Sequence, residues 1–117
     1  MNVSDHFTNP RNVGEMHNAS AVAEESNPVC GDRLRLYLQV AGLEIRAATF
    51  LAYGCPPSIA CGSALTELLQ GKTIDEAALV TKQEIVDAVG GLPSRKHHAA
   101  ALAIETLHAA LEKVSKF

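Results

Sequence analysis

Every second residue between positions 34 and 40 is apolar, with Leu34, Leu36, Leu38 and Val40 alternating against Arg35, Tyr37 and Gln39. A period of two suits only a chain whose successive side chains point to opposite faces, so this stretch is predicted as a strand with one face buried. Ala41-Gly42 is a hairpin-sized link. Residues 45–53 are apolar enough for one or two further strands, pairing antiparallel across that link. Residues 1–31 are rich in Asn, Ser, Pro and Gly, with turn signals at Asn9-Pro10 and Asn27-Pro28. They read as an irregular arm with one helical turn, which Val3, Phe7 and Val13 could tie down.

After Tyr53 the periodicity changes. Gly54 to Pro57 breaks the sheet, and Pro56-Pro57 suits a first helical turn, where a missing N–H costs nothing. The helix is expected to run to about Gln70, with Cys61, Ala64, Leu65 and Leu68 on one buried stripe and Gly71 as its stop. Thr73 followed by Glu76 has the form of a capping box and predicts a short helix over 73–78. A third helix is predicted over 81–89, from the cap Thr81 to the stop at Gly90-Gly91. The last opens at Pro93-Ser94 and keeps helical spacing through Ala100, Ala103, Ile104, Leu107, Leu111 and Val114. Strands followed by helices, instead of alternating with them, imply an α+β fold, and 117 residues suffice for one core.

Composition narrows the function. A net charge of -3 and a pI near 5.9 argue against nucleic acid as a partner, which requires a dominant basic face. The one basic cluster, Arg95-Lys96-His97-His98, is short, and with 4% aromatics and no Trp there are few platforms for stacking bases. No run of 18 apolar residues and no signal-peptide pattern at Met1-Asn2-Val3-Ser4 is present, so no membrane partner and a cytoplasmic location are expected. Three cysteines, an odd number without a CxxC pair, fit a reducing compartment and metal or sulfur chemistry.

Three breaks between elements carry metal-type donors: Cys30-Gly31-Asp32, Gly54-Cys55-Pro56 and His97-His98. Two thiolates, a carboxylate and imidazoles are a credible set for zinc, or for iron in a cluster. Cys55, beside a helix start, is expected to gain thiolate character from unpaired N–H groups. Cys61 lies on the apolar stripe and reads as a small core residue. His97 and His98 are neighbours whose side chains diverge by about 100° on a helix, so converging on one ion needs the looser geometry of a first turn. His6, His17 and His108 read as surface or arm residues.

The motifs Asp5-His6-Phe7-Thr8-Asn9-Pro10-Arg11-Asn12-Val13-Gly14, Asn27-Pro28-Val29-Cys30-Gly31-Asp32 and Ala48-Thr49-Phe50-Leu51-Ala52-Tyr53-Gly54-Cys55 follow in order. Ile59-Ala60-Cys61-Gly62-Ser63-Ala64-Leu65-Thr66-Glu67, Gly71-Lys72-Thr73 and Leu92-Pro93-Ser94-Arg95-Lys96-His97 continue the series. Over essentially its whole length the chain resembles the iron–sulfur cluster assembly scaffold family, of the IscU and NifU N-terminal type. The resemblance implies one domain over 1–117, with a three-stranded antiparallel sheet packed against a C-terminal set of helices. It implies a carrier, not an enzyme, that assembles a transient 2Fe-2S cluster or binds iron, with zinc as another occupant. The implied partners are a cysteine desulfurase, recipient apo iron–sulfur proteins and an Hsp70-type chaperone.

By position, Cys30, Cys55 and His97 inherit ligand roles, and Asp32 that of the carboxylate that keeps the cluster labile. The match breaks at His98, where the family has its third cysteine. Imidazole can bind iron, as in two-histidine Rieske clusters, but cannot carry a persulfide. His98 is therefore expected to join Cys30, Asp32, Cys55 and His97 as a ligand. Leu92-Pro93-Ser94-Arg95-Lys96 departs from the usual Leu-Pro-Pro-Val-Lys gripped by the chaperone, and Pro56-Pro57 replaces a Gly-rich sequence and stiffens its loop.

Overall fold

The predicted strand is β2, Arg33–Ala41, and it forms the centre of a sheet between β1, Ala21–Ser26, and β3, Glu44–Tyr53. The structure is a computed structural model that describes residues 10–27 and 31–114. Both pairings are antiparallel, with Ala23 opposite Leu36 in one and Leu36 opposite Phe50 in the other. Leu34, Leu36 and Leu38 are buried as the alternation requires.

Residues 45–53 form one strand, not two. A register shift at Gln39/Val40 places Ala47 opposite Gln39 but Ile45 opposite Val40, so Arg46 is an extra residue. Such a bulge reverses the parity of a strand. Ile45 and Ala48, three apart, accordingly both face the core. The third strand instead comes from the segment read as irregular arm. There Ala21 and Ala23 are buried, while Glu24, Glu25 and Ser26 are exposed.

The helices cover one face of the sheet. Helix α1, Pro56–Leu69, packs on β3. It approaches so closely at Gly62 that a Cβ there would lie 2.7 Å from Phe50 Cδ2 and 3.2 Å from Leu34 Cδ1. Short helices α2, Ile74–Ala78, and α3, Lys82–Ala88, each begin with a complete capping box, Thr73 with Glu76 and Thr81 with Glu84. These reciprocal bonds satisfy N–H groups that a helix start would otherwise leave unpaired.

A 3-10 turn, Ser94–Lys96, leads into α4, His97–Val114. Its buried residues Ala99, Leu102, Ala103, Thr106, Leu107, Ala110 and Val114 keep the helical period and pack against β1, β2 and α1. The Thr106 hydroxyl donates to the Leu102 carbonyl, which removes the penalty of its burial. Lys113 near the end of α4 donates to the carbonyl of Val22 on β1, closing the helix onto the outer strand. Among the described residues no helix is long and apolar enough to cross a membrane.

Candidate metal centre

Sheet register brings the first two donors together. Arg33 pairs with Tyr53, so the residues just outside the pair, Asp32 and Gly54, are neighbours. Before β2 the Asn27 N–H donates to the Asp32 carbonyl at 2.8 Å and the Gly31 N–H to the Asn27 carbonyl at 2.7 Å. Gly54, at φ 147°, leaves the space that the Asp32 carboxylate occupies, since a Cβ there would stand 2.0 Å from Oδ1. Cys55 follows as the N-cap of α1.

The Asp32 side chain is almost fully enclosed. Its Oδ1 accepts the Cys55 N–H at 3.1 Å, and its Oδ2 accepts the Ser58 hydroxyl at 2.8 Å and the Cys55 thiol at 3.4 Å. Burial by itself would raise the Asp32 pKa. The hydrogen bonds from Ser58 and from the Cys55 backbone and thiol, with a smaller contribution from the charge of His98, outweigh it and hold the carboxyl below its ordinary value.

His98 completes the group from the first turn of α4. Its Nδ1 lies 3.2 Å from the Arg95 carbonyl. A carbonyl oxygen can only accept, so Nδ1 carries a proton in that bond, and in the neutral ring the Nε2 lone pair faces inward. Nε2 is buried without a hydrogen-bond partner among the described residues, although Asp32 Oδ2 is 3.3 Å away. A neutral ring so turned sets two acceptors face to face, an arrangement that a cation between them would satisfy.

Donor atoms of Asp32, Cys55 and His98 all lie within 4.8 Å of one another and could hold a metal ion. Ligands at ~2.0–2.3 Å from one tetrahedral ion stand roughly 3.3–3.8 Å apart. The spacings of 3.3 Å from Oδ2 to Nε2 and 3.4 Å from Oδ2 to Sγ match that requirement, and the third, between Nε2 and Sγ, is within 4.8 Å. A small cavity lined by Ser26, Asn27, His98, Ala101, Leu102 and Glu105 adjoins the imidazole.

Of the expected ligands, then, Asp32, Cys55 and His98 converge. His97 is not drawn into this group, because its Nε2 donates to the Leu92 carbonyl at 3.0 Å. The divergence of neighbouring side chains on a helix decides which of the two imidazoles faces Asp32. Cys30 lies outside the described residues, as do Val3, His6 and Phe7. Cys61 is fully buried, and burial, with the nearby Cys55 adding to it, pushes its thiol up to about 12.

Two site features escaped the sequence reading. Ser58 is buried between Asp32 and Cys55, and its spacing of three residues from Cys55 on one helix was the available signal. The start of α1 also lacks the expected free N–H groups. Pro56 and Pro57 have none, and the N–H groups of Ser58 and Ile59 both donate to the Cys55 carbonyl.

Comparison with known proteins sets this site in a family. The chain is 43% identical over 109 residues to iron–sulfur cluster assembly scaffold protein IscU 1 of Archaeoglobus fulgidus, covering 93% of this chain and 71% of that protein. It is 41% identical over 112 residues to the scaffold protein IscU of Aquifex aeolicus, covering 94% and 71%. Among solved structures, one described as a cluster assembly scaffold for the SUF system of Fervidobacterium islandicum AW-1 superposes with a TM-score of 0.78. That match is at 25% identity and covers 93% of each chain. The family model of the NifU-like N terminal domain matches residues 1–116, and the chain belongs to that family.

Proposed function

We propose that the chain is an iron–sulfur cluster assembly scaffold or carrier, which takes up iron or a transient 2Fe-2S cluster and hands it to recipient apo proteins. The cluster is cargo, so the protein binds and releases it without turnover. The proposed donors are Asp32, Cys55 and His98, with Cys30, two residues before Asp32 in the chain, as a further thiolate. His97 serves instead through its bond to Leu92, holding the turn that aims His98. A cysteine desulfurase is the proposed sulfur source, as the resemblance to the scaffold family implies. The observation that carries this reading is the buried Nε2 of His98, set against Asp32 and Cys55 without a hydrogen-bond partner among the described residues.

A second reading is favoured by the donor spacings, which suit one tetrahedral ion. In it the site holds a single zinc and serves a regulatory or docking role, with cluster assembly lost along with the third cysteine. Release by an Hsp70-type chaperone is not proposed. Leu92-Pro93-Ser94-Arg95-Lys96 departs from the family stretch, and the Leu92 and Pro93 carbonyls are already engaged by His97 and Lys96.

Measuring iron, zinc and acid-labile sulfide after anaerobic reconstitution, together with the visible spectrum, separates the two. The scaffold reading expects stoichiometric iron and sulfide, with charge-transfer bands lost in Cys55→Ala. Zinc alone supports the second reading, and a chain that binds no metal overturns both.

A further inference from the structure

Ser58 is 2% exposed, in the first turn of α1, and its hydroxyl is spent on neither the helix backbone nor solvent. It donates to Asp32 Oδ2 at 2.8 Å, the shortest bond that this carboxylate accepts among the described residues, and its oxygen lies 3.5 Å from Cys55 Sγ. Each carboxylate oxygen thus accepts its own bond, and the two together pin the orientation of the group. The Cys55 N–H fixes Oδ1, and Ser58 fixes Oδ2, the oxygen that faces His98 Nε2. Both oxygens turn on one terminal torsion, broad and two-fold in Asp, and without Ser58 only the Cys55 N–H at 3.1 Å and the longer thiol contact at 3.4 Å would restrain it.

We propose that Ser58 is the positioning residue of the metal centre: by holding Oδ2 of Asp32 toward His98 and Cys55, it sets the affinity of these three donors for a divalent ion. The proposal rests on the metal-binding reading above. Oxygen ligands in metal sites are commonly held by hydrogen bonds from an outer layer, whose removal weakens binding by about 10–100-fold. Ser58 differs from a hydroxyl that only satisfies a buried charge, because its partner oxygen is also the one at metal-ligand spacing from both other donors.

Titration of the full chain, metal-free and reduced, with Co(II) against a chromophoric chelator tests this. The variants are Ser58→Ala and Ser58→Thr, each alone and in an Asp32→Ala background, with circular dichroism to confirm folding. Ser58→Ala is expected to bind Co(II) about 10–100-fold more weakly, keeping its sulfur-to-cobalt absorption. Ser58→Thr retains the hydroxyl and restores affinity, and in Asp32→Ala the Ser58→Ala change has no further effect. Equal affinity of Ser58→Ala and the parent overturns the proposal. So does the same fractional loss with and without Asp32, which marks a purely structural role. Should Ser58→Thr overpack and misfold, the alanine variants decide alone. A parent chain that takes up no Co(II) overturns the metal-binding reading itself, and the role of Ser58 with it.

Discussion

Cys55 and Cys61 lie on the same helix, and the contrast between them shows how position decides what a thiol can do. Cys55 caps α1, half-buried, against the Asp32 carboxylate and the Ser58 hydroxyl. Six residues on, Cys61 is fully buried among Leu, Ala and Phe side chains, and that burial pushes its thiol up to about 12. Each region also has its own close-packed glycine. Gly54 leaves room for a carboxylate, and Gly62 leaves room for a phenyl ring. The first turn of α1 is built around polar donors and the second around the sheet.

The largest effect expected from this contrast is in thiol alkylation of the metal-free chain, followed by peptide mapping. Cys55 should react in the folded state. Cys61 should react only through unfolding, slower by at least about 1,000-fold for a protein of ordinary stability. Comparable rates would break the contrast.

Substituting the two glycines sharpens it. Gly54→Ala drives a methyl into Asp32 at an unfavourable φ, and should lower Co(II) affinity by about 100-fold in the same chelator competition. Unchanged binding would mean that Asp32 is not a ligand. Gly62→Ala adds a methyl against Phe50, and overpacking of this kind costs about 1–3 kcal/mol in urea unfolding. Alanine is otherwise favoured over glycine in a helix by about 1 kcal/mol, so a stabilised Gly62→Ala would show that the ring gives way. Its Co(II) affinity should equal the parent's.

A smaller effect concerns acid. The Asp32 pKa in the fold lies below its ordinary value of 3.8, so the charged form favours the native state. Its contribution is complete above that value and is lost as pH falls through the lower, folded one. Compared in urea with a chelator present, the stability advantage of the parent over Asp32→Asn should therefore shrink as pH drops below about 4. A constant difference across that range would mean that the carboxylate is not stabilised by the fold.

Most of the helical half was legible because its signals are local. Capping boxes at Thr73 and Thr81, the stop at Gly71 and the period of α4 each lie within a few residues. The sheet was less legible. Its strand β1 turns only Ala21 and Ala23 to the core, too small to print an apolar alternation, and the bulge at Arg46 scrambles the parity of β3. At the site, the donor segments stood out as Cys, Asp and His at element breaks. Which imidazole faces Asp32 depends on the rotation of α4 about its axis, a tertiary quantity. Ser58 was hidden because a serine in a first helical turn ordinarily needs no further explanation.

The proline pair at positions 56 and 57 has a consequence for what the site admits. Helix starts commonly gather sulfate, phosphate and carboxylate on their free N–H groups. Here two of those groups do not exist and the next two are turned back onto the carbonyl of Cys55. An oxyanion arriving at this end of α1 finds the Asp32 carboxylate and no free backbone N–H from the first turn. This end of α1 therefore offers an anion no free backbone donor and leaves the Asp32 carboxylate to attract positive charge.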